Sequence, residues 1–226
     1  MNPKDFNPPG TINVVCDLSH HNQNVDLNAA KNYGLAGFFN KATQSYGENL
    51  FKDSTYPERR REAKELNLLF GAFHFGSGGS GAEQADVFLD YTNPQNDTLL
   101  ALDFEENTTR GESTMNLQDA IDFVSRVKEK TGKYPGIYGG SLLKESLRTG
   151  HPILSQCWLW LSEYPLSYMS APRLPNGWTD YTFWQYTDGI VNPKIATPID
   201  GIGFCDRNLF KGTPDELLNF WQANKV

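Results

Sequence analysis

Residues 98–105 read Thr98-Leu-Leu-Ala-Leu-Asp-Phe-Glu105. An apolar run this short suits a strand covered on both faces rather than an amphipathic helix. Side chains alternate along a strand, so Asp103 and Glu105 share one face, roughly 7 Å apart at about 3.3 Å per residue, while Phe104 points to the other. The expected strand, Thr98–Phe104, therefore carries an apolar body and an acidic end. Runs of the same kind recur at Ile12–Cys16, Leu35–Asn40, Leu68–His74, Gly136–Tyr138, Cys157–Leu161, Tyr181–Gln185 and Ile199–Cys205.

Helix-period segments separate the earlier of these strands. Glu58–Leu66 is charged and led by Pro57, and Ala82–Leu89 follows a Gly/Ser-rich loop. Asn116–Lys130 sets Leu117, Ile121, Val124 and Val127 at three- and four-residue steps, the spacing of one buried helix face. Gly132 ends that helix and Pro135 opens the next strand. After Gly150 the helical period fades into Pro-, Gly- and Asn-rich connections such as Ala171–Gly177. A last helix, Asp215–Trp221, is expected with Thr213 as its cap and Pro214 at its first position. Strand–helix alternation without a linker or internal repeat implies an α/β fold. The expected form is a single irregular TIM-like barrel over residues 1–226, its last three helices reduced and its first ten or so residues an extended arm.

Composition agrees with one globular unit: 226 residues, 38% of them hydrophobic. The net charge of −7, with no basic block, makes nucleic acid and anionic lipid poor partners. The longest apolar stretches are too short to span a bilayer. Met1–Gly10 has neither the apolar core nor the cleavage site of a signal peptide, which leaves the export route open. Cys16, Cys157 and Cys205 are odd in number and lack Cys-x-x-Cys spacing, so they are expected as buried thiols rather than a disulfide framework or zinc site.

In a barrel of this kind the C-terminal strand ends surround the site. Those ends carry Asp17, Lys41, His74, Asp103 with Glu105, Tyr138, Trp160 with Glu163, Gln185 and Asp206. Two carboxyls side by side at a buried strand end repel, and one tends to keep its proton. One protonated acid for a leaving oxygen and one ionised carboxylate for a cationic transition state are what hydrolysis of a glycosidic bond needs. On this reading the Asp103 charge raises the proton affinity of Glu105. His20, His21 and His74 fit no metal-ligand spacing, and neither metal nor cofactor is expected. The loop Gly76-Ser-Gly-Gly-Ser-Gly81 lacks the Gly-Lys-Ser/Thr ending of a phosphate cradle and reads as a flexible rim loop. Aromatic residues gather in the second half (Tyr138, Trp158, Trp160, Trp178, Tyr181 and Trp184), mostly as packing, with one or two able to stack on sugar faces.

These motifs together resemble a known family, the glycoside hydrolase family 25 lysozymes. Asp17-Leu-Ser-His-His-Asn resembles its opening Asp-x-Ser segment, and Lys41-Ala-Thr, Gly71-Ala-Phe-His-Phe and Leu102-Asp-Phe-Glu follow in order. Gly136-Ile-Tyr, Leu159-Trp-Leu-Ser-Glu-Tyr, Phe183-Trp-Gln-Tyr and Cys205-Asp-Arg-Asn-Leu-Phe complete the series. The resemblance implies a (β/α)5β3 barrel that cleaves the β-1,4 bond between N-acetylmuramic acid and N-acetylglucosamine in peptidoglycan. It implies Glu105 as general acid, Asp103, Asp206 and Asp17 as supporting carboxylates, and Lys41, Tyr138, Trp160 and Gln185 along the groove. His74 is expected as a hydrogen-bonded barrel residue or a sugar contact. The partner is then the peptidoglycan glycan strand, met at the cell wall outside the membrane, by a chain expected to be a monomer. Asn40, Gln44 and Gln23 depart from the residues usual in the family at those places. A hydrolase of chitin-like polymers and a catalytically silent wall-binding module are the rival readings. Barrel closure makes one further demand: Asp17 and Asp206, from opposite ends of the chain, should meet at the mouth, with Cys16 and Cys205 facing outward behind them.

Overall fold

A computed structural model describes residues 5–108, 110–165, 171–190, 195 and 197–226. In chain order its strands are β1 (Thr11–Leu18), β2 (Gly37–Gln44), β3 (Phe51–Lys52), β4 (Leu69–Phe75), β5 (Thr98–Asp103), β6 (Gly136–Gly139), β7 (Trp158–Ser162), β8 (Phe183–Thr187) and β9 (Asp206–Lys211). The helices are α1 (Leu27–Tyr33), α2 (Tyr56–Leu66), α3 (Gly81–Thr92), α4 (Leu117–Thr131), α5 (Ser141–Ser146) and α6 (Pro214–Asn224). Parallel pairing runs β1–β2–β4–β5–β6–β7–β8, and β9 closes the barrel by pairing antiparallel with both β8 and β1. The short β3 hangs on β2 as a hairpin.

The last strand corrects the sequence reading. Ile199–Cys205 is not a strand. Ile199 and Gly203 exchange hydrogen bonds of 2.9 and 2.8 Å in a tight turn, with Gly201 and Gly203 in the left-handed region that other residues resist. The chain reverses there, so β9 begins at Asp206 and runs down the barrel where the other seven run up. The Gly76–Gly81 loop also differs from expectation. It is pinned rather than loose: Gly78 N–H donates to Ser113 O at 2.7 Å, Ser80 N–H donates to Tyr46 Oη at 3.2 Å, and Ser77 is buried. Helices α1 and α5 were not foreseen, being only 7 and 6 residues long, too short for a period to show. The cap of α6 matches its sequence signal, with Thr213 and Glu216 forming a capping box behind Pro214.

Alternation along the strands builds two cores. Outward residues such as Cys16, Phe38, Leu100, Leu102, Ile137, Leu159 and Leu209 pack against the helices. Inward residues Val15, Phe39, Phe73, Leu99, Ala101, Trp158, Trp160, Phe183 and Phe210 fill the barrel. Helix α6 folds under its lower end and pushes Leu217 and Trp221 into that filling. Trp221 lies 5.3 Å from the Phe39 ring and donates its indole N–H to Phe70 O at 3.1 Å. Two inward glycines make room for these rings. A Cβ on Gly71 would sit 2.2 Å from Phe39, and one on Gly136 2.4 Å from the Trp158 ring. The described part of the amino-terminal arm is docked on the outer face. Phe6 packs 5.4 Å from both the Trp184 and Tyr186 rings, and Asp5 pairs with the buried Arg207 at 3.1 Å. Residues 1–4 of that arm lie outside the described residues.

Candidate active site

The upper ends of the strands surround a pocket of about 310 Å³. Asp17 of β1, Lys41 of β2, Asp103 and Glu105 at the end of β5, Tyr138 of β6, Trp160 of β7, Gln185 of β8 and Asp206 of β9 all line it. Strand β5 stops at Asp103, where Phe104 N–H donates to Tyr138 O at 2.9 Å, so Glu105 reaches the pocket from the first loop residues rather than from the strand itself. Asp17 and Asp206 are direct cross-strand partners in the β1–β9 register. Asp206 stands at the mouth because β9 starts there; in an eighth parallel strand it would have had to end one. Behind the two acids, Cys16 and Cys205 are buried and unbridged.

The fold keeps His74 out of the pocket. It sits on the outer face of β4, fully buried, bonded to Thr43 Oγ1 at 2.8 Å and Gln84 Oε1 at 3.0 Å, and stacked 5.1 Å from Phe123. Strand alternation explains this. Phe73 and Phe75 take the inward positions, and burial pushes the His74 imidazole down to about 4, so it stays neutral between sheet and helices. Glu163 is also outside the pocket, paired with Lys144 at 2.5 Å and Arg173 at 3.4 Å. His20 bonds Asp53 at 3.1 Å, and among the described residues no group of His, Cys, Asp and Glu side chains could hold a metal ion.

A polar network fixes the acid on β1. Gln185 Nε2 donates to Asp17 at 3.2 and 3.1 Å, and Asn208 Nδ2 donates to Asp17 Oδ2 at 2.8 Å. Gln185 Oε1 in turn accepts from the hydroxyls of Tyr138 at 2.8 Å and Tyr164 at 2.9 Å. Asn208 Oδ1 accepts the Trp160 indole N–H at 2.6 Å. Asn208 and Tyr164 escaped the sequence reading. The first was legible in principle, since alternation from Asp206 places it on the same inward face, but only once β9 is drawn in its true place.

Burial raises every carboxyl in the pocket. Asp103 is pushed well above the usual carboxylate range by burial first and the Glu105 charge next, with Lys41 opposing. Its Oδ1 has no hydrogen-bond partner among the described residues. Asp206 rises to about 9 through burial and the neighbouring Asp17 charge. Glu105 rises to about 7 through burial and the Asp17 charge, again opposed by Lys41. Asp17 rises only to about 6, because the amides of Asn208 and Gln185 offset its burial. The carboxyls of the mouth raise one another's proton affinity. Asp103 is the more deeply buried member of its pair, and the Asp17 charge adds to what raises Glu105. Lys41 Nζ, beside Gln44 Oε1 at 2.6 Å and 4.7 Å above the Phe75 ring, supplies the compensating cation. Asn40 points outward and accepts from the buried Arg59 at 2.9 Å.

A closed barrel with inward carboxylates at its mouth is an arrangement that barrel glycosidases use. The comparisons with known proteins agree and narrow it. Residues 16–195 match the model of the glycosyl hydrolases family 25, and the chain belongs to that family. It is a glycoside hydrolase of the lysozyme, or muramidase, type. Lysozyme M1 of Streptomyces globisporus is 29% identical over 215 residues, covering 89% of this chain and 69% of its own length. The uncharacterized protein YegX of Escherichia coli is 32% identical over 189 residues, covering 80% of this chain and 61% of its own length. The crystal structure of the bacterial lysozyme from Streptomyces coelicolor superposes with a TM-score of 0.78 at 25% identity, covering 92% of this chain and 96% of that one. Asp206 and Asn208 fall outside the matched residues. Among the described residues no helix is long and apolar enough to cross a membrane.

Proposed function

We propose that this chain hydrolyses peptidoglycan at the β-1,4 bond between N-acetylmuramic acid and N-acetylglucosamine, acting at the wall outside the membrane, with residues 1–226 as one catalytic unit. The observation that carries the reading is the convergence of Glu105, Asp103, Asp17 and Asp206 with Lys41 in one pocket. Glu105 is the general acid. With its proton held up to about 7, it is loaded at neutral pH and delivers that proton to the glycosidic oxygen as the bond breaks. Asp103, which lines the pocket beside Glu105, accepts an N–H from the 2-acetamido group, which aims the acetamido oxygen at the anomeric carbon. Asp206 is the second carboxyl placed for that task. Asp17, held by three amide hydrogen bonds, is the fixed negative charge that keeps Glu105 protonated and faces the positive charge developing on the sugar ring. Lys41, Tyr138, Trp160 and Gln185 line the same pocket and position the sugar.

Glu105→Gln tests the assignment, because the amide keeps the shape and loses the proton. Release of reducing ends from purified wall should fall by at least about 10²-fold, the lower bound for general acid catalysis. Activity within about threefold of wild type removes Glu105 from the role. Mass spectrometry of the digest checks the bond: muramic acid at the new reducing ends is expected, and glucosamine there would reassign it. Turnover of chitin oligomers in preference to wall would favour the rival substrate.

A further inference from the structure

The largest cavity near the acid centre is not the acid pocket itself. A chamber of about 750 Å³ opens beside it, between α5 and the end of β7, and Glu105 and Tyr164 line both. Its wall carries Lys144 of α5, Glu163 just past β7 and Arg173. Glu163 is a mouth carboxylate for which the proposed chemistry has no use. Lys144 pairs with it at 2.5 Å, Arg173 Nε at 3.4 Å, and the Arg173 backbone N–H donates to it at 3.0 Å. Its own backbone is tied down too: Glu163 O accepts the Trp184 indole N–H at 2.6 Å, and Glu163 N–H donates to Gln185 O at 3.2 Å. Lys144 and Arg173 both pair with Glu163, so one positive charge is left over within this trio, while Glu105, Glu106 and Glu145 bring the whole lining to four carboxyls and two cations. Arg173 contributes most of the leftover charge: its side chain is 85% exposed, and both terminal amino groups of its guanidinium lack a partner among the described residues. Glu106 and Glu145 also line the chamber and stand exposed.

A wall lined by charges of both signs is a poor match for an N-acetylglucosamine unit, which carries none. It matches a short peptide that presents carboxylates and an amine together. The sugar on one side of the cleaved bond must lie along Glu105, and the chamber begins at Glu105. We propose that this chamber holds the peptide stem borne by the muramic acid unit, with Arg173, steadied by Glu163 and Lys144, pairing with a stem carboxylate. The inference rests on the wall-hydrolase reading above and adds to it a peptide-reading site. In intact strands the lactyl carboxyl of muramic acid is already tied up in an amide, so only stem carboxylates are free to pair.

The test is a substrate-by-variant cycle on soluble wall glycan. One portion keeps its stem carboxylates, and the other has them amidated with ammonia and a carbodiimide. For wild type, amidation should lower kcat/KM by about fivefold, carried in KM, as expected for loss of one charge-assisted contact at a partly exposed site. In Arg173→Ala the same amidation should cost less than about twofold, because its partner is already gone. Arg173→Lys, which restores the charge without the fork, should recover part of the sensitivity. Equal sensitivity in wild type and Arg173→Ala, or none in either, overturns the peptide site while leaving the hydrolase reading standing. Failure of wild type to release muramic acid reducing ends from both substrates overturns the hydrolase reading, and the peptide site with it.

Discussion

The inside of this barrel is two regions built from the same strands. At the lower end the inward positions are Phe39, Trp158, Phe183 and Phe210, closed off by Trp221 of α6. A few residues further along the same strands, the inward positions are Lys41, Asp103, Gln185, Asp17 and Asp206. The lower half is a stack of rings at 4.4 to 6.0 Å centroid spacing that buries apolar area. The upper half gathers four carboxyls whose burial raises all of their pKa values, at a cost in stability for each one ionised. The difference teaches that the acid site is held open by its neighbours rather than by itself. Its charges would spread apart if the ring-filled floor did not hold the strand ends in place.

The comparison breaks most visibly at Trp221. Trp221→Ala should cost about 3–5 kcal/mol, the range for truncating a buried tryptophan, read as a fall in urea midpoint. A cost under about 1 kcal/mol would show that α6 is a cover and not a structural plug.

The upper half should respond in the opposite sense. The folded-state pKa of Asp206, about 9, lies above its unfolded value, so its contribution is present below the unfolded pKa of 3.8 and is lost as pH rises through about 9. Thermal stability should therefore decline over that window. Asp206→Asn should flatten the decline and raise Tm at pH 8 by about 2–4 °C, the shift that about 1 kcal/mol produces in a chain of this size. A lower Tm in the variant at pH 8 would mean that the carboxylate stabilises the closure.

The smallest effect sharpens the assignment within the site. Because the Asp17 charge raises Glu105, Asp17→Asn should move the alkaline limb of the kcat/KM profile to lower pH by about half a unit or more, besides lowering the rate. Asp103→Asn should leave that limb nearly in place, since Asp103 holds its own proton at neutral pH. The reverse pattern would return the coupling to the pair on β5.

Much of this was legible in the sequence, and its failures have a common form. Asp103, Glu105, Asp17, Tyr138, Trp160 and Gln185 could be placed because each stands at the end of a short apolar run, and period-two alternation then assigns its face. Of the two readings of His74, the hydrogen-bonded barrel residue holds and the sugar contact does not, because counting strand ends leaves its face open. Its neighbours Phe73 and Phe75 hold the inward positions, so His74 faces Gln84 and Phe123. Asn208 and the reversal of β9 were invisible because Ile199–Cys205 looks as apolar as a strand, while its glycines make it a turn.

The sequence by itself determined the alternation of strands and helices, the helix cap at Thr213, and the faces on which the acids lie. These rest on interactions within a few residues, where backbone sterics and hydrogen-bond periodicity decide. Only the tertiary structure decided that β9 runs antiparallel between β8 and β1, that α6 fills the barrel floor, and that Asp17 receives Gln185 and Asn208. It also decided which carboxyls keep their protons. Those outcomes depend on groups from distant parts of the chain sharing one desolvated space, and desolvation and charge coupling exist only once that space has closed.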